Sequence, residues 1–123
     1  MTEASEKSLN GTYTRMLRKA VNVYWSALMT NDALYGKLPA LSNKIAARRL
    51  RLAGHCQRHP ELSANKTVLW EPTHGQRGRG RPRTNYIDTL KRDTGADNSA
   101  ELAALMANRK VWKNHVASRL RAP

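Results

Sequence analysis

Five side chains able to carry positive charge recur at helical spacing: Lys44, Arg48, Arg51, His55 and Arg58. At about 100° per residue they gather in one narrow stripe of a helix. No carboxylate lies between Lys44 and Arg58 to neutralise them. Such a row is either a solvated face or a contact for phosphate, and the missing counter-charge favours phosphate. His55, Cys56 and His59, with His74 farther on, invite a zinc site, because His55 and His59 at i, i+4 share a helix face. Against it, Cys56 projects about 100° away from His55, no second cysteine exists, and the basic stripe repels a cation. Ordinary surface histidines and no bound metal are expected. Enzyme constellations are weaker still. Asp88, Asp93 and Asp97 match no paired-carboxylate spacing, with Asp88 and Asp93 about 140° apart on a helix. Cys56 has no nameable base partner, and no phosphate-binding P-loop occurs. The expectation is a chain with no catalytic residue, no cofactor and no small-molecule substrate.

A second cationic element is Gly75-Gln76-Arg77-Gly78-Arg79-Gly80-Arg81-Pro82-Arg83, where Arg77, Arg79, Arg81 and Arg83 alternate with glycine and proline. Arg79-Gly80-Arg81-Pro82 is similar to the core of the AT-hook, an extended segment that lies in the minor groove of A·T-rich DNA. Glycine lets the backbone press close to the groove floor, and the guanidiniums seek the negative potential of a narrow groove. Four residues are a weak motif in an Arg/Gly-rich stretch. A flexible arm that holds phosphates without base preference is the favoured alternative.

Composition bounds these readings. The chain has 123 residues, 22 basic and 9 acidic, for a net charge of +13, with 40% apolar residues, three Trp, four Tyr and no Phe. A surplus that large repels itself unless a polyanion neutralises it. Residues 44–83 hold ten basic and two acidic side chains, so the surplus is concentrated there. Arginine, at fourteen against eight lysines, suits bidentate phosphate recognition. No stretch approaches the roughly 18 apolar residues of a membrane span, so no membrane partner is expected. Met1 to Ser8 is polar and acidic, which argues against a secretory signal. The lone Cys56 fits a reducing intracellular compartment, with the nucleus the expected location.

The elements that must position these residues are helical. Leu9, Tyr13, Met16, Leu17, Ala20, Val21 and Tyr24 follow the spacing of an amphipathic helix, with Arg15, Arg18, Lys19 and Asn22 on its other side. Thr30 or Asn31 caps a short helix with Leu34 and Tyr35, closed by Gly36 and Pro39. Ser42 caps a stronger helix over 43–58, stopped by Pro60. Its packing flank is read as Ile45, Ala46, Leu50, Leu52, Ala53 and Cys56, with Arg49 on that side either reaching out or finding a carboxylate. Residues 59–83 show no helical pattern, and Thr67-Val68-Leu69-Trp70 is a short strand or an apolar plug. Thr84 caps a helix with Tyr86, Ile87 and Leu90 that ends at Gly95. Asn98 with Glu101 resembles a capping box opening a helix with Leu102, Leu105 and Met106. Trp112, Val116 and Leu120 form the apolar side of a last helix. Trp25, Trp70 and Trp112 are read as core anchors rather than stacking platforms. The expected fold is all-α: about five short helices in a small bundle with a basic irregular Arg/Gly-rich loop. It is organised as a disordered 1–8, a helical half 9–58, an irregular arm 59–83 and a helical half 84–121, forming one domain.

Several ordered pieces together resemble the C-terminal tail of the endonuclease–reverse transcriptase polyproteins of non-long-terminal-repeat retrotransposons. They are Tyr13-Thr14-Arg15-Met16-Leu17-Arg18, Leu34-Tyr35-Gly36, and Arg48-Arg49-Leu50-Arg51-Leu52-Ala53-Gly54-His55 with Arg58. Val68-Leu69-Trp70-Glu71-Pro72, Arg79-Gly80-Arg81-Pro82-Arg83 with Tyr86 and Asp88, and Arg109 with Trp112 complete the set. The resemblance runs from Leu9 to about Trp112. In that family the catalytic Tyr-x-Asp-Asp element lies upstream of the tail, and none occurs here, so no catalytic residue is carried over. Asn108 stands where the family often has Asp. The resemblance implies a detached tail that holds template RNA or target DNA during reverse transcription. The nucleic-acid contacts expected are Lys44, Arg48, Arg51, Arg58, Arg77, Arg79, Arg81 and Arg83.

Overall fold

The computed structural model describes residues 2–24, 26–71, 80 and 85–120. Those residues form seven helices and no strand: α1 (Glu3–Ala20), α2 (Asn31–Tyr35), α3 (Leu41–Arg58), α4 (Ser63–Val68), α5 (Tyr86–Thr94), α6 (Ser99–Ala107) and α7 (Arg109–Arg119). The all-α expectation holds, with seven helices in place of about five. His74, Trp25 and the Arg/Gly-rich stretch apart from Gly80 lie outside the described residues, and α5 takes Asn85 as its N-cap in place of the expected Thr84. The chain groups into two compact units: one takes the sequence through Arg48 together with the stretch from Ala117, the other Arg49–Val116.

The first unit begins with a helix longer than its apolar pattern. Thr2 Oγ1 accepts from the Ser5 N–H at 3.3 Å, and Glu3 and Glu6 place negative charge against the N-terminal helix dipole. The polar stretch expected to be disordered is therefore the opening of α1. At the other end Asn22 adopts φ 57°, and the Val23 N–H donates to the Arg18 carbonyl at 2.8 Å. Asparagine tolerates this left-handed stop, which ends the helix short of Tyr24. Val21 and Tyr24, expected on its apolar face, are exposed, as is Met16; Leu9, Tyr13 and Leu17 are half-buried.

No α1 residue is fully buried, and polar contacts hold this unit. Asn10 accepts from the Ser42 N–H at 3.1 Å and donates to the Ser42 Oγ at 3.0 Å. Ser42, expected to cap α3, thus lies inside its first turn, and a side chain 32 residues away satisfies the helix start. Sequence shows the local cap candidate but not the distant one. Thr14 Oγ1 and the Tyr35 hydroxyl are 2.9 Å apart, and the Tyr13 and Tyr35 rings meet edge-on at 5.8 Å. Arg18 donates to the Met29 carbonyl and to Asn31. Thr30 caps α2 as expected, accepting from the Ala33 N–H.

The second unit has a true apolar core: Leu50, Ala53 and Cys56 of α3, Ile87 and Leu90 of α5, Leu102 and Met106 of α6, and Trp112 and Val116 of α7. A point of close approach is Gly54. A Cβ there would fall 2.2 Å from Trp112 Nε1, inside any permissible contact. The same Nε1–H donates to the Leu50 carbonyl at 2.9 Å, so the indole lies flush against the α3 backbone. Arg49 takes the second of its expected options, with its guanidinium donating to the buried Asp93 carboxylate. Gly95 at φ 79° stops α5, and Asn98 accepts from the Glu101 N–H at 2.7 Å to start α6, both as expected. Asn108 accepts from the N–H groups of Lys110 and Val111, so it caps α7 without the charge of an aspartate.

The unforeseen element is α4. Leu62 at its N-cap offers no side-chain bond to the helix start. Instead Asn65 Nδ2 donates to the carbonyls of Cys56 and Gln57, both at 2.9 Å, satisfying α3's C-terminal orphans. Of the stretch read as a strand or plug, 67–70, Thr67 and Val68 end this helix, Leu69 is its C-cap and Trp70 lies just past it, so the strand does not form. In an open helix Gly→Ala stabilises by up to about 1 kcal/mol. Here Gly54→Ala is expected to destabilise by about 1–3 kcal/mol, because the new methyl drives the indole off α3. Chemical denaturation measures the sign.

Candidate functional site

The basic stripe of α3 separates into used and unused charge. Lys44 Nζ donates to the Tyr13 hydroxyl at 3.0 Å and is half-buried, so it serves the packing of the first unit. Arg58 Nη1 donates to the Met106 carbonyl at 2.9 Å, which places a cation on the C-terminal end of α6, where the dipole favours it. Arg48 and Arg51 are exposed, and among the described residues neither has an ion-pair partner. Of the four α3 cations expected to meet phosphate, two thus face solvent unengaged and two are partly committed to structure. Arg77, Arg79, Arg81 and Arg83 lie outside the described residues.

Leu52 does not join the packing flank. It is 60% exposed, because two residues past Leu50 is about 200° around the axis and Leu50 points to the core. Four residues past Arg48, it stands instead in the cationic edge. Arg48, Arg51, Leu52 and His55 are all exposed and occupy about a third of the circumference of α3. An apolar side chain set among cations suits a surface that meets both phosphate and base.

His55 and His59 lie ring to ring, with centroids 4.4 Å apart, and His59 Nδ1 is 2.7 Å from Glu61. The Glu61 carboxyl is held below its ordinary value, first by a bond to its own backbone N–H and next by His59. Cys56 is buried in the core. Among the described residues, no group of three or more His, Cys, Asp or Glu could hold a metal ion. No helix among them is long and apolar enough to cross a membrane.

Two features of the surface escape the sequence reading. Arg109, Lys110 and Lys113 are exposed on α7, which has no acidic residue in its first turn. The signal was present, since no acidic residue follows Glu101. Trp70, expected as a core anchor, is 66% exposed, whereas Trp112 is buried as expected. No family model matches this sequence, and no curated protein or solved structure matches it.

The division of labour along α3 is measurable by thermal or chemical melts. Arg58→Ala is expected to lower stability by about 1.5–3 kcal/mol, the worth of a charged hydrogen bond. Arg48→Ala and Arg51→Ala should stay within about 0.5 kcal/mol of wild type.

Proposed function

We propose that the chain is a non-catalytic nucleic-acid-binding module, similar to the post-polymerase tail of a non-long-terminal-repeat retrotransposon reverse transcriptase, and that it holds template RNA or target DNA. The observation that carries this reading is the pair Arg48 and Arg51, exposed on one helix edge with no counter-charge among the described residues. A guanidinium that stabilises the fold has a partner within it, as Arg49 and Arg58 do. Arg48 and Arg51 have none among the described residues, and the net charge of +13 leaves no surplus of acid elsewhere to supply one. Their natural partner is an external polyanion, and guanidinium geometry matches phosphate in a bidentate fork.

In this reading α3 lays its cationic edge along a sugar–phosphate backbone, and Arg77, Arg79, Arg81 and Arg83 extend the grip along the same strand or duplex. Arg109, Lys110 and Lys113 supply further positive potential that steers association. Phosphate contacts of this sort set affinity and position rather than sequence choice.

Counterion release gives the test. With Arg48, Arg51 and the four arm arginines each neutralising one phosphate, log affinity for duplex DNA should fall with log salt at a slope near −5. The double variant Arg48→Ala/Arg51→Ala should flatten that slope by about 1.8, at 0.9 per lost contact. A wild-type slope near zero, in fluorescence anisotropy across a salt series, contradicts the proposal.

A further inference from the structure

Trp70 combines an anchored backbone with a ring left in water. Its N–H donates to the Thr67 carbonyl at 3.2 Å, closing the end of α4. The next residue, Glu71, is held from two sides: Lys91 Nζ of α5 lies 3.6 Å from Oε1, and Ser99 Oγ of α6 donates to Oε2 at 3.2 Å. Leu69 and Val68, just before, are half-buried. The segment is therefore fastened to the second unit through both its backbone and its flanking side chains. The indole nevertheless stays 66% exposed. A fraying terminus would expose an indole passively; a segment pinned on both sides exposes it by construction.

The surroundings select what would cover such a ring. Lys66, four residues earlier, is exposed, and the chain as a whole carries a net charge of +13. An apolar protein partner gains nothing from that charge. A nucleotide supplies both complements, a flat base for the indole and a phosphate for the cations. In a duplex both faces of each base are already stacked on neighbours, so only an unpaired base offers a free face.

We propose that Trp70 is a stacking platform for an unpaired base of single-stranded nucleic acid. The inference rests on the nucleic-acid reading above and narrows it to strands that present at least one unstacked nucleotide. Arg48 and Arg51 grip backbone in any form, while Trp70 distinguishes single strand from duplex.

The test uses the full chain with a labelled single strand and a duplex of the same sequence. Trp70→Ala should weaken single-strand binding by about 5- to 100-fold, the worth of one lost base stack. Its duplex affinity should stay within about twofold. Trp70→Phe, which keeps a ring, should recover most of the single-strand affinity. Unlabelled single strand should quench the tryptophan emission of the wild-type chain, and Trp70→Phe should lose that quenching while still binding. Equal losses for single strand and duplex in Trp70→Ala, no loss for either, or unchanged quenching in Trp70→Phe would each overturn the stacking role. Failure of the wild-type chain to bind either form would instead remove the nucleic-acid reading on which it stands.

Discussion

Gly54 and Trp112 meet in close approach in the second unit, and this contact fixes which arc of α3 faces the core. Only a residue without a Cβ lets the indole reach the helix backbone, where Nε1–H bonds the Leu50 carbonyl. This contact pins one arc of α3, with Leu50, Ala53 and Gly54, against the core. A helix buried on a fixed arc exposes a fixed arc in return, and here the exposed arc carries Arg51, Leu52 and His55. The surface available for binding is thus a consequence of how the indole docks. A helix free to roll by a single residue position, about 100°, would submerge charge and expose core.

Among the described residues, the positive charges of α3 and α7 named above fall into two classes by what they touch. Arg49 finds Asp93, Lys44 finds the Tyr13 hydroxyl and Arg58 caps α6, each replacing the water it loses with a partner inside its own unit. In the part-buried Arg49–Asp93 pair, removing Arg49 would strand the buried Asp93 carboxylate. Arg48 and Arg51, with Arg109, Lys110 and Lys113 of α7, keep their hydration and offer their charge outward. Sorting a basic sequence in this way separates cations committed to the fold from those left exposed to solvent.

Much of the helical framework was legible, and the reasons are local. Gly95 needs only its own φ, and Asn98 needs only the amide three residues on, so both stops and starts could be read from neighbours. The third helix was visible from its periodicity, and with it the cationic stripe. What stayed hidden depended on distant partners. Asn10 caps α3 from 32 residues away, and Asn65 of α4, a helix whose N-cap Leu62 makes no side-chain bond, satisfies the end of α3. Leu52 was misplaced because a position at the margin of an apolar arc is decided by where the neighbouring helix docks. Trp70 was misplaced because residue type argues for burial while the Glu71 clamp holds the ring outside.

The central claim, that the outward edge of α3 is the contact surface, is tested most directly by residue-resolved NMR. Backbone amide and arginine side-chain signals would be followed while the full chain is titrated with a single-stranded oligonucleotide. The account predicts the largest shifts within α3 at Arg48, Arg51, Leu52 and His55, with Leu50 and Ala53 on its buried arc nearly unmoved. Binding that leaves all four of those signals in place would contradict it.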